Sequence, residues 1–410
     1  MCNIASISVH TSPLAQPGTR DSGGMNVYIR ELSRELGLRA NQTDIFTRRT
    51  DSAQPEIVDI DEHTRVIHIQ AGPPEATKDS LRPHLPAFLR GVLAFRERNG
   101  IQYDLIHSHY WLSGWVGQAI KLHWQVPNVV MFHTLAEAKN RFYEDETEPV
   151  ARLDAEREVA QAADRVICAS ENERVLLEDS YGVSPEQVAV VPCGVDLDAF
   201  RPGDKALARA RLGLLPDKPI VLYVGRIERL KGIDVLMRAV SDLKSPYSLV
   251  VVGGDQRENG RKSHLLNLAS DLGIADSVFF FDAVPHNELP LYYSAADVCV
   301  VPSYYESFGL VALEAMACGV PVIGSNVGGL AQTIQDGETG FLVSWGGSRG
   351  FTERLSLLLG NEQMQREMGR AARAAAEHFT WSGVAAQVED IYHQLVGECK
   401  GVVAHGGASF

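Results

Sequence analysis

The sequence predicts an α/β fold made of two Rossmann-like, parallel-sheet domains, on three observations. The chain has 410 residues, more than one compact core holds and enough for two domains of about 200 residues each. Short apolar, β-branched runs alternate with helix-period segments along its whole length. The alternation starts afresh after a Gly-, Pro- and Asp-rich stretch, Cys193–Asp204, which reads as a linker.

In the first half the predicted strands are Ile4–Val9, Thr43–Thr47, Arg65–Ile69, Leu105–His109, Val129–His133, Arg165–Ala169 and Val188–Pro192. Helical patterns such as Asn26–Leu36 and Pro86–Arg96 separate many of them. Strands that are apolar throughout, rather than alternating, suit a sheet covered on both faces. In the second half the strands are Ile220–Val224, Ser248–Val252, Ser277–Phe281, Val298–Val301, Val322–Ile323 and Gly340–Val343, with helices including Ile233–Leu243 and Gly309–Met316 between them. These runs place one domain at residues 1–200 and a second at 201–380. The remainder, 381–410, holds a last helix over about Gly383–Val396 and a small, Gly-rich tail from Gly401 that reads as frayed.

Composition narrows the function. Apolar residues make up 45% and charged residues 22%, and the net charge is −14. A nucleic-acid or anionic-membrane partner calls for a basic excess, so neither is expected. No apolar run reaches the ~18–20 residues of a membrane span. The six cysteines form no CxxC pair and sit mostly in apolar runs, as buried thiols do. The start, MCNIASISVH, lacks the basic and long apolar regions of a signal peptide, and a cytoplasmic location is expected. The sequence leaves the oligomeric state open, a homodimer included.

Chemistry is expected where strands end. Ligands of open parallel sheets bind beyond the carboxyl ends of the strands. After Ile220–Val224 come Gly225, Arg226 and Lys231, then a helix; two cations beside a helix start suit a diphosphate, though a solvated loop reads almost as well. After Val298–Val301 comes Glu306, with Glu314 inside the following Ala-rich helix, and a buried carboxylate there needs partners such as sugar hydroxyls. Asp21–Asn26 contains Gly23 and Gly24, which permit close approach of backbone to an anion. His133 and Thr134 close an apolar strand and could meet a substrate or be ordinary loop residues. His107 and His109 lack a third ligand at zinc spacing and read as structural. Asp196 and Asp198 spell D-x-D, but in the linker, where chance or capping accounts for them. The chain has no P-loop and, after the first strand, no G-x-G-x-x-G, which argues against a nicotinamide-dependent oxidoreductase. A non-catalytic sugar-nucleotide sensor is a weaker alternative.

The segment carrying Glu306 and Glu314 resembles the signature of the family-4 retaining glycosyltransferases, and Gly225-Arg226 with Lys231 resembles their diphosphate clamp. The run Ser12–Tyr28 is similar to the start of the branch that glycosylates inositol phosphate, and more loosely to the sucrose-phosphate-synthase branch. The resemblance spans essentially the whole chain. It implies a GT-B fold, with two domains facing a central cleft and the last helix crossing back to the first domain. The N-terminal domain would bind the acceptor and the C-terminal domain the nucleotide sugar.

It also implies roles. Arg226 and Lys231 would clamp the diphosphate of a UDP-sugar carrying GlcNAc or glucose. Glu306, Ser307, Phe308, Gly309 and Leu310 would hold the sugar, Glu314 the ribose, and Val284 would lie by the base. Gly23, Gly24 and Asn26 would approach the donor, and His133 the 6-hydroxyl side of its sugar. Lys78, Tyr110, Thr134 and Arg152 would hold the acceptor's phosphate, and inositol phosphate is the acceptor expected, with fructose 6-phosphate the alternative. An Arg near position 284 is usual in the inositol-phosphate branch; this chain has Asp282-Ala-Val-Pro285, which leaves base and donor selectivity open. The implied transfer needs no metal and no cofactor beyond its nucleotide-sugar substrate.

Overall fold

The computed structural model describes residues 1–18, 22–141, 147–254, 259–344 and 347–406, the side chains of 259 and 400–406 excepted. The chain divides into two compact units. One comprises Met1–Ala15, Met25–Pro192 and Trp381–Phe410; the other comprises Gln16–Gly24 and Cys193–Thr380.

The first unit is built on strands β1 (Asn3–Ser8), β2 (Gln42–Arg48), β3 (Ile57–Asp59), β4 (Thr64–Ile69), β5 (Leu105–His109), β6 (Asn128–Met131), β7 (Arg165–Cys168) and β8 (Val188–Val190). Among the described residues they form one sheet in the order β3-β4-β2-β1-β5-β6-β7-β8. Every pairing is parallel except β3 with β4. β3 escapes sequence reading because it is three residues long, lies at the sheet edge and is largely exposed, so it has no apolar run. β1, β2, β5 and β6 are buried almost throughout, as a sheet covered on both faces requires. The crossovers include α1 (Gly24–Leu38), α2 (Leu85–Asn99), α3 (Trp111–Trp124), α4 (Ala136–Asn140), α5 (Val150–Ala162) and α6 (Glu171–Tyr181).

The second unit carries β9 (Ile220–Val224), β10 (Ser248–Val252), β11 (Val278–Phe281), β12 (Val298–Val301), β13 (Val322–Ser325) and β14 (Gly340–Val343). Their order is β11-β10-β9-β12-β13-β14, all parallel. Around this sheet lie α7 (Lys205–Leu212), α8 (Ile233–Ser241), α9 (Asn259–Asp271), α10 (Leu289–Ala295), α11 (Leu310–Ala317), α12 (Leu330–Thr333), α13 (Arg349–Leu359) and α14 (Glu362–Ala376). Its core joins Val221, Leu249, Val251 and Val300 of the sheet to Leu236 and Met237 of α8 and Leu355 and Leu358 of α13.

Two expectations change at element ends. The sixth strand stops at Met131, not His133, because His133 takes a left-handed backbone (φ 59°) that turns the chain off the sheet. The last helix, α15, runs from Trp381 to Gly406, so the tail expected to fray from Gly401 is helical as far as Gly406. α15 packs on the first unit: Tyr392 OH lies within hydrogen-bond distance of His107 Nδ1, at 2.6 Å, and Glu389 takes Arg39 and Asn41 at 2.7 Å each.

Five of the six cysteines, Cys2, Cys168, Cys193, Cys299 and Cys318, are buried, and all six are free thiols. Asp196 Oδ1 accepts from the backbone N–H groups of Asp198 and Ala199 and so closes a turn in the linker. Among the described residues no helix is long and apolar enough to cross a membrane.

Candidate active site

In each sheet the strand order reverses once, at β1/β5 in the first unit and at β9/β12 in the second. The crevice beyond the carboxyl ends of such a pair is where open parallel sheets bind ligands. Most of the expected site residues fall there.

In the second unit, Arg226 and Lys231 follow β9, and Glu306 follows β12. The two loops are fastened together. Tyr304 N–H donates to Leu230 O at 2.8 Å, and Lys231 Nζ pairs with Glu306 at 2.5 Å. Ser303 Oγ donates to the same Glu306 oxygen at 2.9 Å, and Arg226 pairs with Glu228 at 2.7 Å. Both expected clamp cations are thus neutralised by carboxylates at rest, a pairing that sequence reading did not anticipate.

Gly232 enables this closeness: its φ is +64°, and a Cβ there would lie 2.1 Å from Pro302 O. Gly232→Ala is expected to lose about 1–2 kcal/mol from backbone conformation alone, plus the cost of separating the loops. Turnover and melting temperature should fall together; an unchanged melting temperature would show that the loops part freely.

Ser307, Phe308, Gly309 and Leu310 lead into α11, with Gly309 at its N-cap (φ 93°). Gly328 and Gly329 hold this turn from the loop after β13. Gly329 N–H donates to Glu306 O at 2.9 Å, and a Cβ on Gly329 would stand 2.4 Å from Ser307 O. The Gly-Gly pair was the available sequence signal. Glu314, in α11, is 5% exposed. His286 Nε2 lies 2.7 Å from its Oε1, and Tyr293 OH donates to its Oε2 at 2.8 Å. The carboxylate therefore already has protein partners, unlike the sequence expectation, yet each oxygen keeps a lone pair for a hydroxyl. Val284 is half-buried, beside Ala283, whose carbonyl accepts from Gln16.

Gly23 and Gly24 belong to the segment that packs with the second unit. A Cβ on Gly23 would come within 3.7 Å of Arg226 Nε, and one on Gly24 within 3.3 Å of Leu310 Cδ1, so both glycines keep backbone close to the clamp. Asn26 lies in the first unit, where its amide donates to Thr11 Oγ1 (2.8 Å) and Ser12 O (2.7 Å) and braces that loop.

In the first unit, Tyr110 and His133 stand beyond β5 and β6, both with positive φ (75° and 59°). Non-glycine residues in that region store strain, and such strain gathers at functional sites. The Arg152 guanidinium lies over the Tyr110 ring, 5.2 Å from its centroid, and Nη2 donates to Thr134 O at 3.4 Å. Arg152 is also gripped by Glu148 (2.6 Å) and Glu156 (2.9 Å). Lys139 Nζ meets the same Glu148 at 2.8 Å. Burial, then the charges of Arg152 and Lys78, lower the Lys139 ammonium below its ordinary range despite Glu148. Burial pushes Glu148 up, but Arg152 and Lys139 outweigh it and hold the carboxyl low. The structure thus gathers Tyr110, Thr134 and Arg152, with Lys78 close enough to act on Lys139. Sequence reading missed Lys139 and the Glu148–Arg152–Glu156 ladder, whose four-residue spacing is an ion-pair signal on a helix.

His107 and His109 are buried and His133 stands half-buried beside them, with His109 Nδ1 and His133 Nε2 3.0 Å apart. Burial brings His107 down to about 3, and burial with the neighbouring His107 and His10 brings His133 to about 3; His109 is lowered likewise. All three are neutral in the folded protein, while the unfolded chain takes up their protons near pH 6.5. Their stabilisation is therefore full above about pH 6.5 and is lost as the pH falls toward 3. Glu173, pushed up to about 7 by burial, acts in the opposite direction between its ordinary range and 7. Three histidines outweigh one carboxyl, so unfolding free energy should fall on acidification from pH 6.5. His107→Gln should make the slope shallower by about 1.4 kcal/mol per pH unit. Equal slopes in denaturant titrations of the two proteins would overturn this.

Comparison with known proteins agrees with this architecture. Residues 22–199 match the family model described as Glycosyltransferase Family 4, and residues 204–375 the model described as Glycosyl transferases group 1. The chain is 45% identical to D-inositol 3-phosphate glycosyltransferase 2 of Catenulispora acidiphila, over 97% of this chain and 96% of that protein. It is 42% identical to the D-inositol 3-phosphate glycosyltransferase of Xylanimonas cellulosilytica, over 95% and 96%. Among solved structures, the sucrose-phosphate synthase of Thermosynechococcus elongatus is 38% identical, with a TM-score of 0.92, covering 97% of this chain and all of that one.

Proposed function

Because the chain belongs to the family-4 glycosyltransferases and has their GT-B fold, we propose that it moves GlcNAc or glucose, with retention, from a UDP-sugar to inositol phosphate. The observation that carries the acceptor half is the convergence of Tyr110, Thr134 and Arg152 beyond β5 and β6, with Lys78 and Lys139 adding charge. Cations with two hydroxyl-bearing neighbours suit a phosphate monoester. The curated relatives named for D-inositol 3-phosphate support the ring.

In this reading residues 1–200 bind the acceptor, 201–380 bind the nucleotide sugar, and 381–410 return to the first domain. Arg226 and Lys231 exchange Glu228 and Glu306 for the donor's diphosphate, on which negative charge grows as the glycosidic bond breaks. Fixed cations stabilise that charge more than they stabilise the bound donor, which is what accelerates the step. Glu314, oriented by His286 and Tyr293, takes the ribose hydroxyls, and Val284 lines the base. Glu306, freed from Lys231, joins the backbone of Ser307–Leu310 on the sugar, while Gly23 and Gly24 keep backbone near the diphosphate. Asn26 supports this by bracing the Thr11–Ser12 loop. His133 offers a neutral imidazole to the sugar's 6-hydroxyl side. The diphosphate accepts the acceptor's proton, so no protein base, metal or cofactor enters. The enzyme works in the cytoplasm on two small molecules.

A second reading, glucose transfer to fructose 6-phosphate, is supported by the likeness to sucrose-phosphate synthase. Nucleoside diphosphate release from UDP-GlcNAc and UDP-glucose, each with either acceptor, separates the two. Release from UDP-GlcNAc that requires inositol phosphate supports the first; UDP-glucose with fructose 6-phosphate replaces it by the second.

A further inference from the structure

Two carboxylates hold Arg152, and they differ in how firmly they are placed. Glu156 is fully buried, and its oxygens accept from Ala136 N (2.8 Å), Tyr181 OH (2.7 Å) and Arg152 Nε (2.9 Å). Leaving that position would strand a backbone donor and a tyrosine, so Glu156 is a fixed part of the fold. Glu148 lies ahead of α5, with its side chain 21% exposed. Its carboxylate meets only cations among its described contacts, Lys139 Nζ at 2.8 Å and Arg152 Nη1 at 2.6 Å, both on Oε1. One anionic oxygen bridging an ammonium and a guanidinium, next to Tyr110 and Thr134, is the arrangement a phosphate oxygen would adopt.

Charge points the same way. Lys139 and Arg152 are balanced by Glu148 and Glu156. Withdrawing Glu148 leaves a positive charge for an incoming anion to balance, and a phosphate monoester carries about −1.5 to −2. A neutral sugar could not replace a carboxylate between two cations, because both would lose a charged partner and gain only hydroxyls.

We propose that Glu148 holds the place of the acceptor's phosphate in the unliganded enzyme, and that the phosphate displaces it to be bound by Lys139 together with Arg152. Lys139 is then a further acceptor-binding residue, and Glu148 sets specificity, since only an anion strong enough to displace it enters. This rests on the reading of the acceptor as phosphorylated.

Inorganic phosphate tests both by calorimetric titration. The expected result is measurable binding to the unsubstituted enzyme, binding about tenfold tighter to Glu148→Gln because a competing anion is gone, and about five- to tenfold weaker to Lys139→Met. Glu148→Asp, which keeps the charge on a shorter arm, should fall between the unsubstituted enzyme and Glu148→Gln and covers the case in which Glu148→Gln does not fold. Arg152→Ala combined with Glu156→Gln, which leaves no orphaned carboxylate, reports on the cage itself. Phosphate binding that this pair abolishes, but that neither Glu148 variant tightens, overturns the place-holder and leaves the phosphorylated acceptor standing. Phosphate binding to none of the proteins overturns both.

Discussion

Lys231→Ala is expected to lower kcat by about 10²–10³-fold, the cost of removing one preorganised group that faces developing charge. The lysine is well placed for that role and poorly placed for a structural one. It ends the loop after β9 at the switch point of the sheet, 23% exposed, and its salt bridge is to Glu306. Losing it leaves Glu306 with Ser303 and access to water, so the melting temperature should move little. The loss should fall on kcat more than on donor KM, because the interaction strengthens as the diphosphate departs. Lys231→Arg should recover part of it. A kcat within threefold of the unsubstituted enzyme would remove Lys231 from the clamp.

Arg152→Ala is expected to raise the acceptor KM by about 10²-fold, as loss of a charge-assisted phosphate contact does, and to leave the donor KM unchanged. Unlike Lys231, this residue is also part of the fold. It is 7% exposed and is the cation beside fully buried Glu156. Removing one partner of a buried pair costs about 3–5 kcal/mol, so the variant should also be less stable. Adding Glu156→Gln removes the orphaned charge but keeps an acceptor for Tyr181 and Ala136. The double variant should regain stability without regaining acceptor affinity. Kinetics and denaturant unfolding of both variants check this; a shift in donor KM alone would take Arg152 out of the acceptor site.

Much of this was legible because parallel sheets write themselves as apolar runs. β9, β10 and β12 have the bounds their sequence suggests, and the residues after β9 and β12 stand out as polar groups following such runs. β3 was not legible, since three edge residues without a buried face leave no pattern. Nor was the left-handed turn at His133, which depends on packing beyond the strand. At the candidate site, individual charges were visible but their pairings were not. Lys231 and Glu306 are 75 residues apart, and only the topology that puts β9 beside β12 makes them neighbours. Tyr293 and His286 reach Glu314 in the same way, from 21 and 28 residues away. By contrast Glu148, Arg152 and Glu156 carry their own local signal, a spacing of four, and could have been found from sequence.

The most direct test of the central claim, that the acceptor is recognised through its phosphate, compares UDP release from UDP-GlcNAc with inositol phosphate and with unphosphorylated inositol. Release is expected with the phosphate ester, and kcat/KM should fall by at least about 10²-fold without it. Equal turnover of the two would contradict it and would leave the Lys139–Glu148–Arg152 cluster as part of the fold alone.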